Sequence, residues 1–251
     1  MRIELLIISA LAARIRQNGS AICVGRQASP KTTSHGQVVF HWLGREEEMK
    51  VSLIGATGNA GSRILAELVR RRHQVTAIVR HPERVPQLDR VVAKQCDANR
   101  VDDLASMLQG HDVVVSSVHF LDSQADKLIG AVCQARVPRY VVVGGAGSLD
   151  NGSGVKLIDA GGVPEPYQAE SRAGCDFLDA LRQTSDLDWT FLSPSAQFVP
   201  GERTGVFRIG ADTALRDPSG RSWISYEDYA VALVDEIEQP RHSRRRFTVG
   251  Y

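Results

Sequence analysis

The sequence has almost no excess of charge of either sign. Its 251 residues contain 30 Lys and Arg against 29 Asp and Glu, which leaves a formal net charge of +1. A balance this even provides no long-range attraction for nucleic acid or for an anionic membrane, so we expect neither as a partner. The one basic run, "RHSRRRF" at 241–247, is interpreted as a solvated edge before a last strand.

Cysteine is scarce and lacks metal-binding spacing. The four cysteines, Cys23, Cys96, Cys133 and Cys175, form no CxxC pair, and no histidine stands at ligand spacing from them. We therefore expect no metal site. The pattern indicates reduced thiols in a cytoplasmic protein, with Cys96 and Cys133 packed in the core.

A long hydrophobic run is also missing. The apolar stretch "IELLIISALAARI" at 3–15 is too short to span a membrane. Glu4 makes it a poor secretory signal, although a cleaved signal remains the alternative interpretation. Residues 16–37 show neither a helical nor a strand period, and "VVFHWLG" at 38–44 predicts at most one isolated strand.

The segment just before Met49 suggests where the native protein starts. Arg and Glu can be written in purine-rich codons, so Arg45–Glu48 resembles a ribosome-binding site that has been translated. Our hypothesis is that residues 1–48 are an extension that is poorly ordered or not native, and that the folded domain covers 49–251. A mature terminus near Met1, found by N-terminal sequencing from the host, would contradict it.

From Met49 onward, strand-length apolar runs alternate with segments of helical period. The predicted strands are 50–54, 75–80, 91–96, 112–118, 139–145 and 188–194. The predicted helices are 60–72, 100–109, 122–136 and 166–184. Continuous Val and Ile runs indicate strands covered on both faces, so we predict one doubly wound, Rossmann-type α/β domain with a parallel sheet. The Gly-rich segment 147–166 is a loop long enough to be functional.

Three glycines follow the first of these strands. In "GATGNAG", Gly55, Gly58 and Gly61 separate the strand from a helix. This spacing lets the backbone turn tightly, approach a pyrophosphate without a Cβ in the way, and direct helix N–H groups at its charge. Because strand, turn and helix agree, the pattern predicts a dinucleotide site rather than a turn without a ligand.

The end of the next strand indicates which dinucleotide is preferred. An acid there would bind the ribose 2′-hydroxyl of NAD, whereas an Arg accommodates the 2′-phosphate of NADP. Arg80 stands at this position with no acid at 79–81, and Arg84 lies one helical turn further. We therefore expect NADP(H) to be preferred over NAD(H). Asp97, after the third strand, is placed to accept from the adenine amino group.

The tyrosines argue against carbonyl chemistry. Short-chain dehydrogenases use a Tyr acid with a Lys four residues later, because an alkoxide must be protonated as it forms. No tyrosine here has a Lys at that distance: Tyr140 is followed four residues later by Gly144, Tyr167 by Ser171, Tyr226 by Ala230 and Tyr229 by Leu233. An enzyme built this way needs an acceptor that takes a hydride without a dedicated proton donor, as a flavin or quinone does.

Five stretches carry a family resemblance: "LIGATGNAGSRI", "VTAIVRHPER", "YVVVGGAGSL", "DLDWTFLSPSAQFVPGERTGVFRIG" and "ISYEDYAVALVDEIEQPRH…RFTVGY". The chain resembles the NAD(P)H-binding atypical short-chain dehydrogenases of the NADH-flavin reductase type. It is more distantly similar to biliverdin reductase B and to NmrA-like proteins. The resemblance covers Met49 to Tyr251 and leaves out residues 1–48.

The resemblance implies a set of cofactor-binding positions. The turn residues Thr57, Gly58, Asn59 and Ala60 would wrap the pyrophosphate, and Arg80 would bind the 2′-phosphate. The cofactor's ribose side would be lined by Ser116, Ser117 and Val118. Pro194 and Ser195 would meet the carboxamide. Gly144, Gly145 and Ser148 stand where classical relatives keep a catalytic Ser, and without a Tyr–Lys partner Ser148 is expected to position a ring rather than transfer a proton.

The resemblance also implies an open acceptor pocket beside the nicotinamide. Its candidate residues are His119, Phe120, Tyr167 and Phe198, although ordinary loop packing explains each of them equally well. We expect a flavin to bind loosely, as a substrate, to a monomer or homodimer. The alternatives are an NADP-binding redox sensor of the NmrA type and, third, an epimerase, for which the chain lacks both the Tyr–Lys pair and a large C-terminal domain.

Overall fold

The computed structural model describes residues 29–32, 38–41 and 48–251, and the chain divides into two compact units, Met1–Glu47 and Glu48–Tyr251. In the first unit, strands β1 (Ser29–Thr32) and β2 (Val38–His41) pair antiparallel. The predictions of at most one isolated strand, and of none before residue 38, were therefore wrong. The other predictions for residues 1–47 lie outside the described residues.

Ten strands belong to the second unit. They are β3 (Lys50–Ile54), β4 (Gln74–Val79), β5 (Val91–Gln95), β6 (Val113–Ser116), β7 (Arg139–Val143), β8 (Asp188–Pro194), β9 (Gln197–Val199), β10 (Arg208–Gly210), β11 (Trp223–Ser225) and β12 (Arg245–Gly250). Eight of them form one sheet in the order β10-β12-β8-β7-β6-β3-β4-β5. All neighbours in it are parallel except β10 with β12, and β9 pairs with β11 in a separate ladder.

Helices cover both faces of this sheet. They are α1 (Asn59–Arg70), α2 (Val101–Leu108), α3 (Ala125–Ala135), α4 (Glu165–Arg182) and α5 (Tyr226–Glu238). Leu65 of α1 and Leu233 of α5 pack with Leu53 on one face. On the other face, α2, α3 and α4 pack against alternate residues of the same strands, such as Val114 and Val142. The predicted doubly wound α/β fold is confirmed.

Where prediction and structure differ, the reason is tertiary. Strand β5 was expected to be covered on both faces, but it is the edge strand and Val92 is 59% exposed. Cys96 is buried as predicted, whereas Cys133 is exposed because the buried stripe of α3 ends at Val132 and Ala135 on either side of it. No element was predicted at β9, β10, β11 or α5.

The chain order places a crevice at one edge of the sheet. Strand β3 lies between β4, which follows it in sequence, and β6, so the connections leave it in opposite directions. Ligands of open α/β sheets bind where the order reverses, outside the carboxyl ends of the strands. Gly55 and Ser117 follow β3 and β6 at this point. Among the described helices, none combines the length and apolarity needed to cross a bilayer.

Candidate dinucleotide-binding site

A cavity of about 410 Å³ opens at the carboxyl ends of β3, β4 and β6. The predicted residues that line it are Gly55, Thr57, Gly58, Arg80, Arg84, Asp97, Ser117, Val118 and His119. They come from four separate stretches of sequence that the parallel sheet brings to one edge. The structure therefore gathers the glycine turn, the basic strand end and the adenine-side acid around one opening.

The three glycines of the turn have different roles. Gly55 has a φ of +85°, and a Cβ there would lie 2.1 Å from the carbonyl oxygen of Ser117. A Cβ on Gly61 would lie 2.1 Å from the carbonyl oxygen of Gly55. Gly58 has a φ of −74°, and its nearest contact would be an ordinary 3.5 Å. Gly55 and Gly61 are thus required by the protein itself, and Gly58 leaves room for a ligand at the cavity.

Helix α1 begins at this turn, and no side chain of its own compensates the partial positive charge at its N-terminus. Gly58 is its N-cap and provides no side-chain cap, and the first turn contains no acid. The first N–H groups of a helix have no intrahelical partner, and the helix dipole adds partial positive charge there. Asn59 and Ala60 contribute to this end through their backbone. It can bind a pyrophosphate without any charged side chain.

The cavity mouth is basic on the side of β4. Arg80 and Arg84 line it, and within residues 48–251 neither guanidinium forms a hydrogen bond or ion pair. His81 lines it too, with Nδ1 3.2 Å from Glu83 Oε1. Two exposed guanidinium groups without partners fit the 2′-phosphate of NADP, because Arg forms bidentate, charge-assisted bonds to phosphate.

A further part of the cavity lining is built around Asp97, which follows β5, the neighbour of β4. One carboxylate oxygen of Asp97 accepts from the backbone N–H of Asn99, at 2.9 Å. Asn99 in turn donates from Nδ2 to the carbonyl oxygen of Asp122, at 2.9 Å. Cys96 forms the floor, and burial raises the pKa of its thiol. These contacts hold the Asp97 carboxylate at the cavity, where it can accept from an adenine amino group.

Ser148 is buried and held by a cation. Its hydroxyl accepts from Arg246 Nη1 at 3.3 Å, and Arg246 is itself paired with Asp212. Gly144 is required for packing, because a Cβ there would lie 2.3 Å from the Phe191 ring. Gly145 has only the edge of the Phe120 ring nearby, at 3.9 Å. A hydroxyl bonded to a buried guanidinium is a poor proton acceptor.

Several predicted residues do not reach the cavity with their side chains. Ser116 bonds to the hydroxyl of Tyr140 inside the core, at 2.8 Å. Ser195 is fully buried next to Pro194 and donates to the carbonyl oxygen of Val249, at 2.9 Å.

The four predicted acceptor residues are also separated by the fold. Phe198 packs between Tyr226 and Tyr229, and Phe120 packs against Phe177. Tyr167 is 65% exposed on the first turn of α4. His119 lines the dinucleotide cavity itself rather than a separate pocket.

Among the lining residues that the sequence analysis missed, four have hydrogen-bonding side chains: His81, Asn99, Asp122 and Ser123. Each lies in a loop that leaves the carboxyl end of a parallel strand. That position was the available signal, since loops at this edge form the site in every open α/β sheet.

A Rossmann-type sheet with a glycine turn, an uncapped helix and a basic strand end defines a dinucleotide-binding domain. The pattern of the NAD(P)H-binding family matches residues 55–240, and the chain belongs to this family. The predicted resemblance is thereby confirmed. Uncharacterized protein YwnB of Bacillus subtilis is 37% identical over 208 residues, which cover 80% of this chain and 98% of that protein.

Solved structures extend the likeness to three dimensions. A "putative epimerase" of Bacteroides thetaiotaomicron is 39% identical, with a TM-score of 0.78 over 82% of this chain and 98% of that one. A "putative exported protein" of Burkholderia pseudomallei is 45% identical, with a TM-score of 0.74 over 81% of this chain and 100% of that one. A "putative NADH-flavin reductase" of Streptococcus pneumoniae is 34% identical, with a TM-score of 0.70 over 80% of this chain and 99% of that one. The names differ while the fold is shared.

Proposed function

We propose that this protein is an NADPH-dependent oxidoreductase that passes a hydride to a flavin or quinone-type acceptor. The observation that carries the proposal is a pair of exposed guanidinium groups, Arg80 and Arg84, which have no partner within residues 48–251 and line the same cavity as the acid-free N-terminus of α1. NADPH matches both features, since its pyrophosphate suits the helix N-terminus and its 2′-phosphate suits the guanidinium groups. The name of the Streptococcus pneumoniae neighbour supports the acceptor class.

In this mechanism the chain's own residues bind the cofactor and orient it. The N-terminus of α1 holds the pyrophosphate, Arg80 and Arg84 hold the 2′-phosphate, and Asp97 accepts from the adenine. Bound NADPH supplies a hydride, which carries two electrons and one proton. A flavin or quinone ring takes it, and solvent supplies the second proton because the ring delocalises the negative charge. Positioning the two rings is then the main catalytic contribution of the protein.

The environment of Tyr167 supports an acceptor that needs no protein acid. Tyr167 is exposed, and Ser171, four residues later, packs against Gly147, where a Cβ would lie 2.0 Å from its Oγ. The proposal includes a small-molecule acceptor that binds loosely, a monomer or homodimer, and a cytoplasmic location, which the free cysteines among the described residues favour. Fractionation of the host would test the location, since the Burkholderia neighbour is named as exported.

The experiment is oxidation of NADPH, followed by its absorbance, with FMN, riboflavin and a small quinone in turn. The control is the Gly58→Val protein, which keeps the fold and loses the site. We expect turnover well above the rate without protein for at least one acceptor. Turnover that is the same with the native and control proteins would contradict the proposal.

A redox sensor that binds NADP and signals to a protein partner is the second candidate. It is favoured by two exposed apolar side chains, Leu121 at 62% and Tyr167 at 65% exposure, of which Leu121 directly precedes Asp122 of the cavity lining. Tight NADP binding without turnover on any acceptor would support the sensor. An epimerase, the name of the Bacteroides neighbour, would instead act on a nucleotide sugar with no net oxidation of NADPH.

A further inference from the structure

The loop after β6 forms one wall of the dinucleotide cavity, and a carboxylate from another helix holds it. Glu170 on α4 accepts from the backbone N–H of Phe120 at 2.7 Å and from that of Leu121 at 3.1 Å. His119 Nδ1 lies 3.5 Å from the same carboxylate. Val118 and His119, just before these two amides, line the cavity.

This arrangement is stronger than an ordinary loop contact. A carboxylate that accepts from two consecutive backbone N–H groups forms two charge-assisted bonds, each about twice as strong as a neutral one. The carboxylate of Glu170 is 29% exposed, and its bond to the amide of Phe120 is partly buried while that to Leu121 is exposed. Removing the carboxylate would leave the partly buried N–H of Phe120 without its protein partner, and the cost of an unsatisfied buried donor exceeds what the bond contributes on average.

Packing fixes the same segment against the same helix. The Phe120 ring lies against Phe177 with centroids 5.3 Å apart. A Cβ on Gly174, one turn after Glu170, would lie 3.0 Å from this ring. On the far side, Ser123 Oγ donates to the carbonyl oxygen of His119, at 2.7 Å. The wall of the cavity is thus attached to α4 by its backbone and by a ring.

We propose that Glu170 is a positioning residue for the dinucleotide site. It fixes the position of the segment 118–121 at the cavity, so that Val118 and His119 meet the cofactor without prior ordering. The proposal uses NADPH as ligand, as the proposed function does, and is independent of which acceptor is reduced.

The test compares Glu170→Ala and Glu170→Gln with Asp176→Ala, which removes an exposed carboxylate from the same helix. NADPH affinity is measured by calorimetry, and amide hydrogen exchange of Phe120 and Leu121 by NMR. Glu170→Ala should bind NADPH about tenfold more weakly, equivalent to about 1.4 kcal/mol. The two amides should exchange at least about tenfold faster, while that of Ser117, bonded to Ile54, stays protected. Glu170→Gln, which keeps one acceptor oxygen, should fall between.

Three results would overturn the inference. One is NADPH affinity within about twofold of the native value in Glu170→Ala. Another is an equal loss in Asp176→Ala, which would mean a general effect of charge on α4. The third is an unchanged rate of amide hydrogen exchange at Phe120 and Leu121 in Glu170→Ala. If the alanine variant fails to fold, the same measurement on Glu170→Gln tests the inference. NADPH that binds the native protein but is not oxidised with any acceptor would refute the proposed function instead.

Discussion

At the scale of single residues, similar side chains acquire different roles from their surroundings. Gly55 and Gly61 pack against backbone atoms, whereas a Cβ on Gly58 would make only ordinary contacts, and Gly58 lines the cavity. Among the arginines, Arg246 is buried against Asp212, while Arg80 is exposed and its guanidinium has no partner within residues 48–251. Residue type alone does not distinguish these roles. Substitutions that compare one glycine or arginine with another do distinguish them.

The glycines offer the first contrast. Gly58→Val should abolish binding of NADPH and NADH while the melting temperature stays near native, since a Cβ at Gly58 meets only ordinary contacts. Gly61→Ala should instead lower the free energy of unfolding by about 1–3 kcal/mol, as expected for overpacking. Thermal denaturation and calorimetry on both variants test this. Retained NADPH affinity in Gly58→Val would move the site elsewhere.

Arg80 should decide between the two nicotinamide cofactors. If its guanidinium binds the 2′-phosphate, Arg80→Ala costs about 1.5–3 kcal/mol in NADPH affinity and leaves NADH nearly unchanged. Arg100→Ala is the control, because Arg100 is exposed and paired with Asp103 outside the cavity. Calorimetry with both cofactors measures the difference. Equal losses for NADPH and NADH would show that Arg80 does not read the phosphate.

Removal of single hydroxyls should reduce turnover only modestly. General acid catalysis supplies about 10²–10⁴-fold, so its loss would be evident. Ser148→Ala and Tyr167→Phe, assayed with NADPH and FMN over a range of pH, should fall by about tenfold or less. A drop in the range of acid catalysis, together with the loss of one limb of the pH profile, would identify a proton donor and favour a carbonyl substrate.

At the scale of elements, the loop 200–207 between β9 and β10 is fastened to two helices. Arg203 reaches Glu67 of α1 through two bonds of 2.8 Å. Gly201 N–H donates to Glu227 of α5 at 2.9 Å. Asp228, which is fully buried, accepts from the N–H of Gly205 at 2.8 Å. Loop 200–207 is therefore ordered by carboxylates of elements far away in sequence.

Glu67 is the centre of the contacts on α1. It is 4% exposed and bonds to both Arg71 and Arg203 at 2.8 Å. Glu67→Gln removes the charge that pairs with the guanidinium groups of Arg70, Arg71 and Arg203, and should lower the free energy of unfolding by about 3 kcal/mol. Denaturation with urea measures it. The exposed pair Arg100–Asp103 is the control, since Asp103→Asn should cost about 0–1 kcal/mol. Equal effects of both variants would refute the special role of Glu67.

At the scale of the whole molecule, helices α1 and α5, which pack in one hydrophobic core on the same face of the sheet, are also joined by ion pairs. Arg71 of α1 contacts Asp235 and Glu238 of α5, each at 2.7 Å. His73, fully buried, has Nε2 3.0 Å from Glu238 and accepts from the N–H of Met49 at Nδ1, 3.3 Å away. Carboxylates of α5 therefore strengthen a contact between elements that the hydrophobic core also joins.

This dependence on carboxylates predicts a loss of stability in acid. Burial alone would raise the pKa of Glu67, but its bonds to Arg203 and Arg71 outweigh burial and lower the pKa to about 2. Since this value lies below the usual 4.5, the stabilisation is complete above about pH 4.5 and is lost as the pH falls toward 2. Urea denaturation at about pH 7 and about pH 3 should show a smaller loss for Glu67→Gln than for the native chain. Equal losses would contradict the assignment.

Much of the cofactor side could be predicted from the sequence, because it depends on local pattern. Strand, glycine turn and helix follow one another within residues 50–70, and a strand end directly precedes Arg80. The acceptor side could not, because Phe120 and Phe198 are drawn into the core by aromatic residues distant in sequence. A loop residue gives no sign in the sequence of which way its ring will turn.

The sequence by itself determined the doubly wound class, since continuous apolar runs must be buried on both faces and only helices between parallel strands achieve that. It also predicted the place of a dinucleotide at the glycine turn, because such a turn acts through backbone geometry. Tertiary structure alone decided that β5 is an exposed edge, that Gly58 rather than Gly61 is open to a ligand, and that Glu170 meets the amides of Phe120 and Leu121. These features depend on distances between segments that only the folded chain brings together.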